Sequence, residues 1–351
     1  MLAIAMTPPL WTADLPGIGG RIKDRCEDFE VEEIAAYEPS GEGDHLYLWI
    51  EKVDMGAEYF ERAVARRLEL RPDDIGTAGL KDRRAVTRQW VSVPATVEAK
   101  LSALDGDGMR VLKVSRHTNK LKAGHLHGNR FRILIRDVNE AEHGSKLNEI
   151  VAVLQRTGMP NYYGRQRFGR DGETAQWGMA LLKGEKVPNL RSPFLKKLSL
   201  SAAQSMLFNA YLAQRMNDGL FRTVLAGDVM SKYPFGGMFT AEDLTTEQAR
   251  FEAREIVPSG PIFGRKTFPS AGIAAEREAT ILNASGLDRR SFDGFGKLVM
   301  GTRRHNIVYF DNLTTEWNSD GVWVSFALPS GSYATILLRE VMKNEPIAEE
   351  E

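Results

Sequence analysis

The chain has 351 residues, a net charge of −1 and one cysteine, and 42% of its residues are hydrophobic and 26% charged. These proportions are typical of a soluble globular protein, and the length is sufficient for two domains. The single cysteine, Cys26, excludes an internal disulfide and a cysteine-based zinc site. No apolar run approaches the ~20 residues of a membrane span, and residues 1–11 lack the features of a signal peptide. We therefore expect a cytoplasmic protein without a membrane segment.

The first half of the sequence alternates between strand and helix patterns. Residues 45–53 (HLYLWIEKV) are rich in aromatic and β-branched side chains and follow a turn-forming GEGD, which predicts a strand. Residues 57–70 carry a mainly apolar stripe at helical spacing. Further patterns predict strands at residues 90–93, 109–114 and 130–136, and a helix at residues 145–157.

A basic segment at residues 110–136 contains eight Lys or Arg residues and no Asp or Glu. In the strand predicted at residues 130–136, apolar and basic side chains alternate, so one face is apolar and the other is cationic. The cationic face carries Arg130, Arg132 and Arg136. Such a face attracts polyanions and predicts a platform for an RNA backbone, and the alternative is a solvated basic face without a partner.

The second half of the sequence differs in character. Residues 159–302 contain many glycines, several helical patterns and few clear strands. The patterns predict a helix at residues 201–216, a loop rich in Pro and Gly at residues 257–272, strands at residues 306–310 and 322–328, and a helix at residues 333–343 with Ser332 as its N-cap. The acidic tail at residues 345–351 is expected to be frayed.

This order of elements predicts an α+β fold. The last strands need partners, and the early strands are the available ones. We therefore expect a discontinuous domain of residues 1–158 and 303–351, built on a mixed or antiparallel sheet with helices. A mainly helical α/β domain of residues 159–302 is expected to interrupt it.

The segment at residues 79–89 (GLKDRRAVTRQ) combines one carboxylate with several cations. Asp82 stands among Lys81, Arg83, Arg84 and Arg88. Neighbouring cations favour the ionised form of a carboxylate, which can act as a nucleophile or a base. The alternative is a surface loop with exposed ion pairs, which contribute little to stability.

Four other segments carry side chains suited to a nucleic acid. Phe29 can stack on a base or pack in a core, and Asn129 can bind a base edge or occupy a turn. Phe326, at the end of a predicted strand, can project into a site or pack in the sheet. The segment at residues 160–169 (PNYYGRQRFG) suits stacking and phosphate contacts, or a tightly packed turn.

Five motifs in this order resemble the TruD family of tRNA pseudouridine synthases. They are EDF-x-VEE at residues 27–33, G-x-KD-x-x-AVT-x-Q at residues 79–89, GN-x-F at residues 128–131, PNYYG-x-QRFG at residues 160–169 and LP-x-GSYAT at residues 328–335. These motifs span most of the chain. Residues 170–300 match loosely, apart from SAAQSMLFN at residues 201–209.

The resemblance implies a pseudouridine synthase core split by an insertion, and it implies roles for six residues. Asp82 falls on the catalytic aspartate, Phe29, Asn129 and Phe326 fall on base-contacting positions, and Lys23 and Lys81 fall on lysines close to the carboxylate. The implied reaction converts uridine 13 of certain tRNAs to pseudouridine without a cofactor or metal. Tyr163, Tyr333 and Arg84 replace residues of some relatives, and none of these exchanges removes a catalytic group.

Three other functions stay open on the residues alone. An RNA N-glycosidase could use the same carboxylate, and a non-catalytic RNA-binding protein would not need it. A metal-dependent nuclease is a third alternative. His125 and His127 are one residue apart, but no carboxylate or cysteine stands near them at ligand spacing, so we predict no metal site. The sequence leaves the oligomeric state open and is compatible with a monomer.

Overall fold

The computed structural model describes residues 3, 6–188, 190 and 192–344. Its strands are β1 (Phe29–Ala35), β2 (His45–Val53), β3 (Gly76–Thr77), β4 (Val86–Pro94), β5 (Met109–His117), β6 (Leu126–Arg136), β7 (Met159–Pro160), β8 (Val229–Lys232), β9 (Met238–Thr240), β10 (Ile256–Ile262), β11 (Thr302–His305), β12 (Ile307–Val308), β13 (Asp311–Asn318) and β14 (Gly321–Pro329). Its α-helices include α1 (Ala57–Leu68), α2 (Glu140–Thr157), α3 (Glu173–Leu182), α4 (Pro193–Asn217), α5 (Leu244–Glu252), α6 (Gly272–Ala284) and α7 (Ala334–Met342). The tail at residues 345–351, which was expected to be frayed, lies outside the described residues.

The patterns of the first half correspond to real elements, some with shifted ends. The strand predicted at residues 45–53 is β2, with the same bounds. The helix predicted at residues 145–157 begins earlier, at Glu140, because the Asn139 side chain caps its first turn. β6 begins at Leu126, ahead of its prediction, because neighbouring strands pair with it on both sides.

One sheet of eight strands has the order β13-β14-β6-β1-β4-β2-β5, with β3 beside β4. β1 and β4 run parallel, and the other neighbours run antiparallel. β13 and β14 come from the C-terminal part of the chain, and β14 pairs with β6 along its whole length. The last strands therefore take early strands as partners, as predicted, and the α+β class is confirmed.

A smaller sheet corrects one prediction. Its order is β11-β10-β8-β9, and β10 occupies part of the stretch that was predicted as a loop at residues 257–272. The strand tolerates Pro258 and Pro261 because its first half pairs with β8 alone and its second half with β11 alone. Proline and glycine content was therefore misleading here, since the pairing on one side leaves room for residues that lack a donor.

The last helix also begins differently from its prediction. Tyr333, and not Ser332, occupies the N-cap position of α7. The Ser332 hydroxyl instead donates a hydrogen bond to Asn161 Oδ1 over 3.1 Å. Ser332 thus joins the turn before α7 to a distant segment, a contact that local sequence cannot reveal.

The apolar core is continuous between the two sheets. A large cluster joins side chains of β1, β6 and β14 with those of α2, α4 and α7. A second cluster packs α1 against β2 and β4. β11 extends to His305, so the smaller sheet continues past residue 302. The domain boundaries at residues 158 and 303 stay a prediction.

Candidate active site

Asp82 lies in the loop that connects β3 to β4. Its side chain is 39% exposed, and Lys23 Nζ lies 3.0 Å from its Oδ1. Lys23 precedes β1 and adopts a left-handed backbone conformation with φ of 61°. The Lys23 ammonium group stabilises the negative charge of the Asp82 carboxylate. The exposed part of the Asp82 side chain stays accessible to a ligand.

A row of side chains crosses one face of the large sheet beside this loop. The register pairs neighbouring strands at Lys52, Thr87, Val31, Phe131 and Phe326, in that order. Directly paired residues share one face of a sheet. Since Lys52 also contacts the main chain of Asp82, we call this side of the sheet the Asp82 face.

Lys52 is a residue that reasoning from the sequence missed. Its side chain is buried, and Nζ donates to the carbonyl oxygens of Met55 and Asp82, the latter over 3.1 Å. Burial lowers the pKa of Lys52 to about 8, although the nearby Asp82 charge raises it. A signal was present in the sequence, because strand alternation places Lys52 on the same side as Leu48 and Ile50, where an apolar residue is expected.

Lys81 forms a buried ion pair. Its Nζ lies 2.7 Å from Glu33 Oε2, and the Lys81 and Glu33 side chains are 2% and 0% exposed. Glu33 Oε1 also accepts a hydrogen bond from the backbone N–H of Trp90. The pair connects the residue before Asp82 to β1 and β4 beneath the surface, which favours a positioning role for Lys81 over a contact with substrate.

Phe29 and Phe326 lie on either side of Phe131. The Phe131 and Phe326 rings are stacked at 5.2 Å, and the Phe29 ring meets Phe131 edge-on at 6.4 Å. Phe29 and Phe326 are each 3% exposed. Lys23 Nζ lies 4.1 Å from the centre of the Phe29 ring, a favourable arrangement of a cation over an aromatic face. Both predicted base contacts are therefore packed as core residues in this conformation, and Phe29 also positions Lys23.

Two buried polar atoms on the Asp82 face have no hydrogen-bond partner among the residues that the structure describes. They are Asn129 Oδ1 and Thr87 Oγ1. Asn129 is paired with Glu33 across the sheet, and Thr87 is paired with Lys52. Buried polar atoms are nearly always hydrogen-bonded, so both atoms are exceptions. Asn129 is partly exposed and can meet a bound ligand, whereas Thr87 is fully buried.

The opposite face of the sheet carries a ladder of alternating charges, which corrects the prediction of a basic platform. Residues paired across five strands are Arg110, Glu51, Arg88, Glu32 and Arg130. Arg130 lies 2.8 Å from Glu32, and Arg88 lies 2.9 Å from Glu51. The positive charges of β6 are therefore largely neutralised by β1, and they lie on the side away from Asp82.

This arrangement predicts a small effect of Arg130→Ala on RNA binding. The variant should leave the slope of log affinity against log salt unchanged, because the guanidinium is paired with Glu32 on the far face. An arginine that contacts a phosphate would instead reduce that slope by about 1 when removed. Filter binding of tRNA over a range of salt concentrations measures the slope. A reduction of about 1 would show that Arg130 contacts a phosphate, as the predicted RNA platform requires.

The first part of the segment at residues 160–169 matches the packed turn, whereas Arg165 and Gln166 are exposed. Tyr162 is 1% exposed, and the Arg304 guanidinium lies 4.0 Å from the centre of the Tyr163 ring. Arg304 also donates to Asn161 Oδ1 and to the Gly331 carbonyl oxygen. Arg304, which the sequence did not single out, thus ties this turn to the turn before α7.

The two neighbouring histidines have partners other than a metal ion. His125 Nδ1 lies 2.7 Å from the Tyr37 hydroxyl, and the His127 ring lies 5.4 Å from the Phe235 ring. Within residues 3, 6–188, 190 and 192–344, no three His, Cys, Asp or Glu side chains are grouped to hold a metal ion. No helix in this part of the chain is long and apolar enough to cross a membrane.

Comparisons with known proteins agree with the motifs and the fold. A family model for tRNA pseudouridine synthase D (TruD) matches residues 6–187 and 187–341. Relatives named tRNA pseudouridine synthase D from Anaeromyxobacter dehalogenans and Thermus thermophilus are 45% and 43% identical to this chain, over 98% and 97% of its length and 99% and 93% of theirs. A solved TruD structure from Methanosarcina mazei shares the fold, with a TM-score of 0.79 and 23% identity over 98% of both chains. The chain belongs to the TruD family of tRNA pseudouridine synthases.

Proposed function

We propose that this enzyme isomerises uridine to pseudouridine in tRNA, with uridine 13 as its target and the Asp82 carboxylate as its catalytic group. The observation that carries the proposal is the accessible Asp82 side chain, which is paired with Lys23 beside the Asp82 face. The proposal includes a cytoplasmic location, which a tRNA substrate supports. Membership of the TruD family supports the isomerisation of uridine in tRNA. The motif at residues 79–89 supports Asp82 as the catalytic residue.

The reaction breaks the bond between N1 and C1′, turns the uracil and joins C5 to C1′, so no atoms are gained or lost. An ionised carboxylate can stabilise positive charge at C1′ or bond to it, as the nucleophile of a retaining glycosidase does. Removal of the C5 proton then completes the isomerisation, and a carboxylate can accept it. Asp82 fits these steps because its carboxylate is partly exposed and Lys23 balances its charge.

The uracil must leave its stack before the carboxylate can reach the sugar. Asn129 Oδ1, which has no partner among the described residues, suits acceptance of the uracil N3–H. The Phe131 ring packs between Phe29 and Phe326 on the same face, and all three rings are buried. The contact to Asn129 would hold the uracil while it turns.

Two lysines have positioning roles in this proposal. Lys52 donates a hydrogen bond to the Asp82 carbonyl oxygen, and Lys81, the residue before Asp82, forms an ion pair with Glu33. Both contacts act on the main chain that carries the carboxylate, so neither lysine needs to touch the substrate. We also assign catalysis to residues 1–158 and 303–351, because their strands form the large sheet, and treat residues 159–302 as the insertion.

The proposed function is tested with tRNA whose uridines carry tritium at C5. The pure enzyme should release tritium to water and produce pseudouridine at position 13, since C5 loses its hydrogen when it bonds to C1′. Chemical mapping of pseudouridine identifies the position. Free uracil as the product would show an N-glycosidase, and the absence of both products would contradict the proposal.

A further inference from the structure

Two aromatic rings meet where the inserted segment reaches the large sheet. Phe235 belongs to the loop between β8 and β9, and its side chain is 67% exposed. Its ring lies 5.4 Å from the ring of His127, at an angle of 33°. Because nearly all of the other phenylalanines are more covered by protein, this solvent-facing pair is unusual for the chain.

The ring pair lies close to the site already described. His127 is two residues before Asn129 on β6, and the pairing of β6 with β1 skips His127, which forms a bulge there. The carbonyl oxygen of His127 accepts a hydrogen bond from the backbone N–H of Ser330 over 2.8 Å. His127 is therefore held from one side by the turn that follows β14, while its ring stays exposed.

The loop that carries Asp82 begins beside the same bulge. A Cβ placed on Gly79 would lie 3.7 Å from the Leu126 side chain, so the start of the loop touches the residue before His127. Leu80, the next residue of the loop, is 81% exposed. Exposed apolar side chains therefore occur both in the Asp82 loop and at the ring pair.

The chemistry of the substrate identifies what fits these rings. When a uridine is extruded from its stack, the bases next to it lose a stacking partner. Exposed aromatic rings bind such bases through their faces, with little preference for sequence. We propose that Phe235 and His127 form a stacking site for a nucleobase next to the target uridine. The inference rests on the proposed function, since it takes the RNA to be bound at Asp82.

The test combines a protein change with an RNA change. Phe235→Ala should weaken tRNA binding about tenfold, within the range of one base–aromatic stack, and should raise KM with little effect on kcat. Phe235→Trp should retain tight binding. Synthetic tRNAs are made that each lack the base at one position beside the target uridine, and one of them should bind the unmodified protein more weakly than the others. At that position, the loss caused by Phe235→Ala should disappear.

Phe194→Ala is the matched control, because Phe194 is 70% exposed and lies at the start of α4. It should leave tRNA affinity unchanged. If the affinity lost through Phe235→Ala added to the affinity lost with every missing base, the stacking site would be overturned. An equal loss of affinity from Phe194→Ala would overturn it as well. Affinity is measured without turnover, so tritium release by the unmodified protein on the same tRNA tests the proposed function separately.

Discussion

Replacing Asp82 by Asn should lower kcat on the order of 10⁴-fold, the scale of losses seen when a catalytic group is removed. The amide has the size of the carboxylate but lacks its negative charge, which is needed to stabilise positive charge at C1′. Binding of tRNA should change little, because Asp82 forms its ion pair with Lys23 and is only partly buried. Tritium release from tRNA labelled at C5 measures kcat, and filter binding measures affinity.

Asp73→Asn supplies the control for this change. Asp73 is exposed and precedes the same loop, and the substitution removes the same charge from the protein. Its turnover should match that of the unmodified enzyme. If Asp82→Asn retained turnover within a few-fold, the carboxylate would not be the catalytic group, and the choice of site would have to be abandoned.

Replacing Lys52 by Met should lower kcat about 100-fold while KM stays close to its original value. Methionine fills a similar apolar space, but it removes the donor to the carbonyl oxygens of Met55 and Asp82. A displacement of about 1 Å in a catalytic group can cost about this factor. The loss should therefore appear in the chemical step and not in tRNA binding.

The stability of the enzyme should depend on pH through the same lysine. The pKa of Lys52 is lowered from 10.5 to about 8 in the folded protein, so the unfolded chain binds more protons between these values. The free energy of unfolding should therefore rise with pH from about 8 to 10.5. Below that window the unfavourable contribution of Lys52 should be largest and should no longer change with pH. Lys52→Met should remove this contribution, which urea unfolding at several pH values measures.

Lys113→Met is the matched control for Lys52. Lys113 lies on the neighbouring strand β5 and is exposed, so its loss should change neither kcat nor the slope of stability with pH. Equal tritium release by Lys52→Met and the unmodified enzyme would show that the hydrogen bond to the Asp82 carbonyl has no role in catalysis.

Local patterns in the sequence were sufficient for some elements and failed for others. The alternation in β2 and the apolar stripe of α1 depend on neighbouring residues, and both elements formed where they were expected. β10 was missed because its prolines are tolerated only through its pairing with two different strands. The predicted N-cap of α7 was wrong because the Ser332 hydroxyl donates its hydrogen bond to Asn161, which is distant in the sequence.

In the candidate site too, features carried by adjacent residues could be predicted from the sequence, and contacts between distant residues could not. The motif around Asp82 could be found from the sequence because those residues are contiguous. The approach of Lys23 to Asp82, and of Lys52 to its carbonyl, depends on how β1, β2 and β4 pair. Likewise, the run of cations at residues 110–136 suggested a basic face, but the carboxylates that neutralise it lie on other strands.

The sequence by itself determined the family and the α+β class and predicted a catalytic carboxylate at residue 82, because motifs and periodicity depend on adjacent residues. Only the tertiary structure decided that Lys81 is buried against Glu33, that Lys52 supports Asp82, and that Phe235 meets His127. These contacts join residues that are far apart in the chain. Their existence depends on strand order and register, which no single segment encodes.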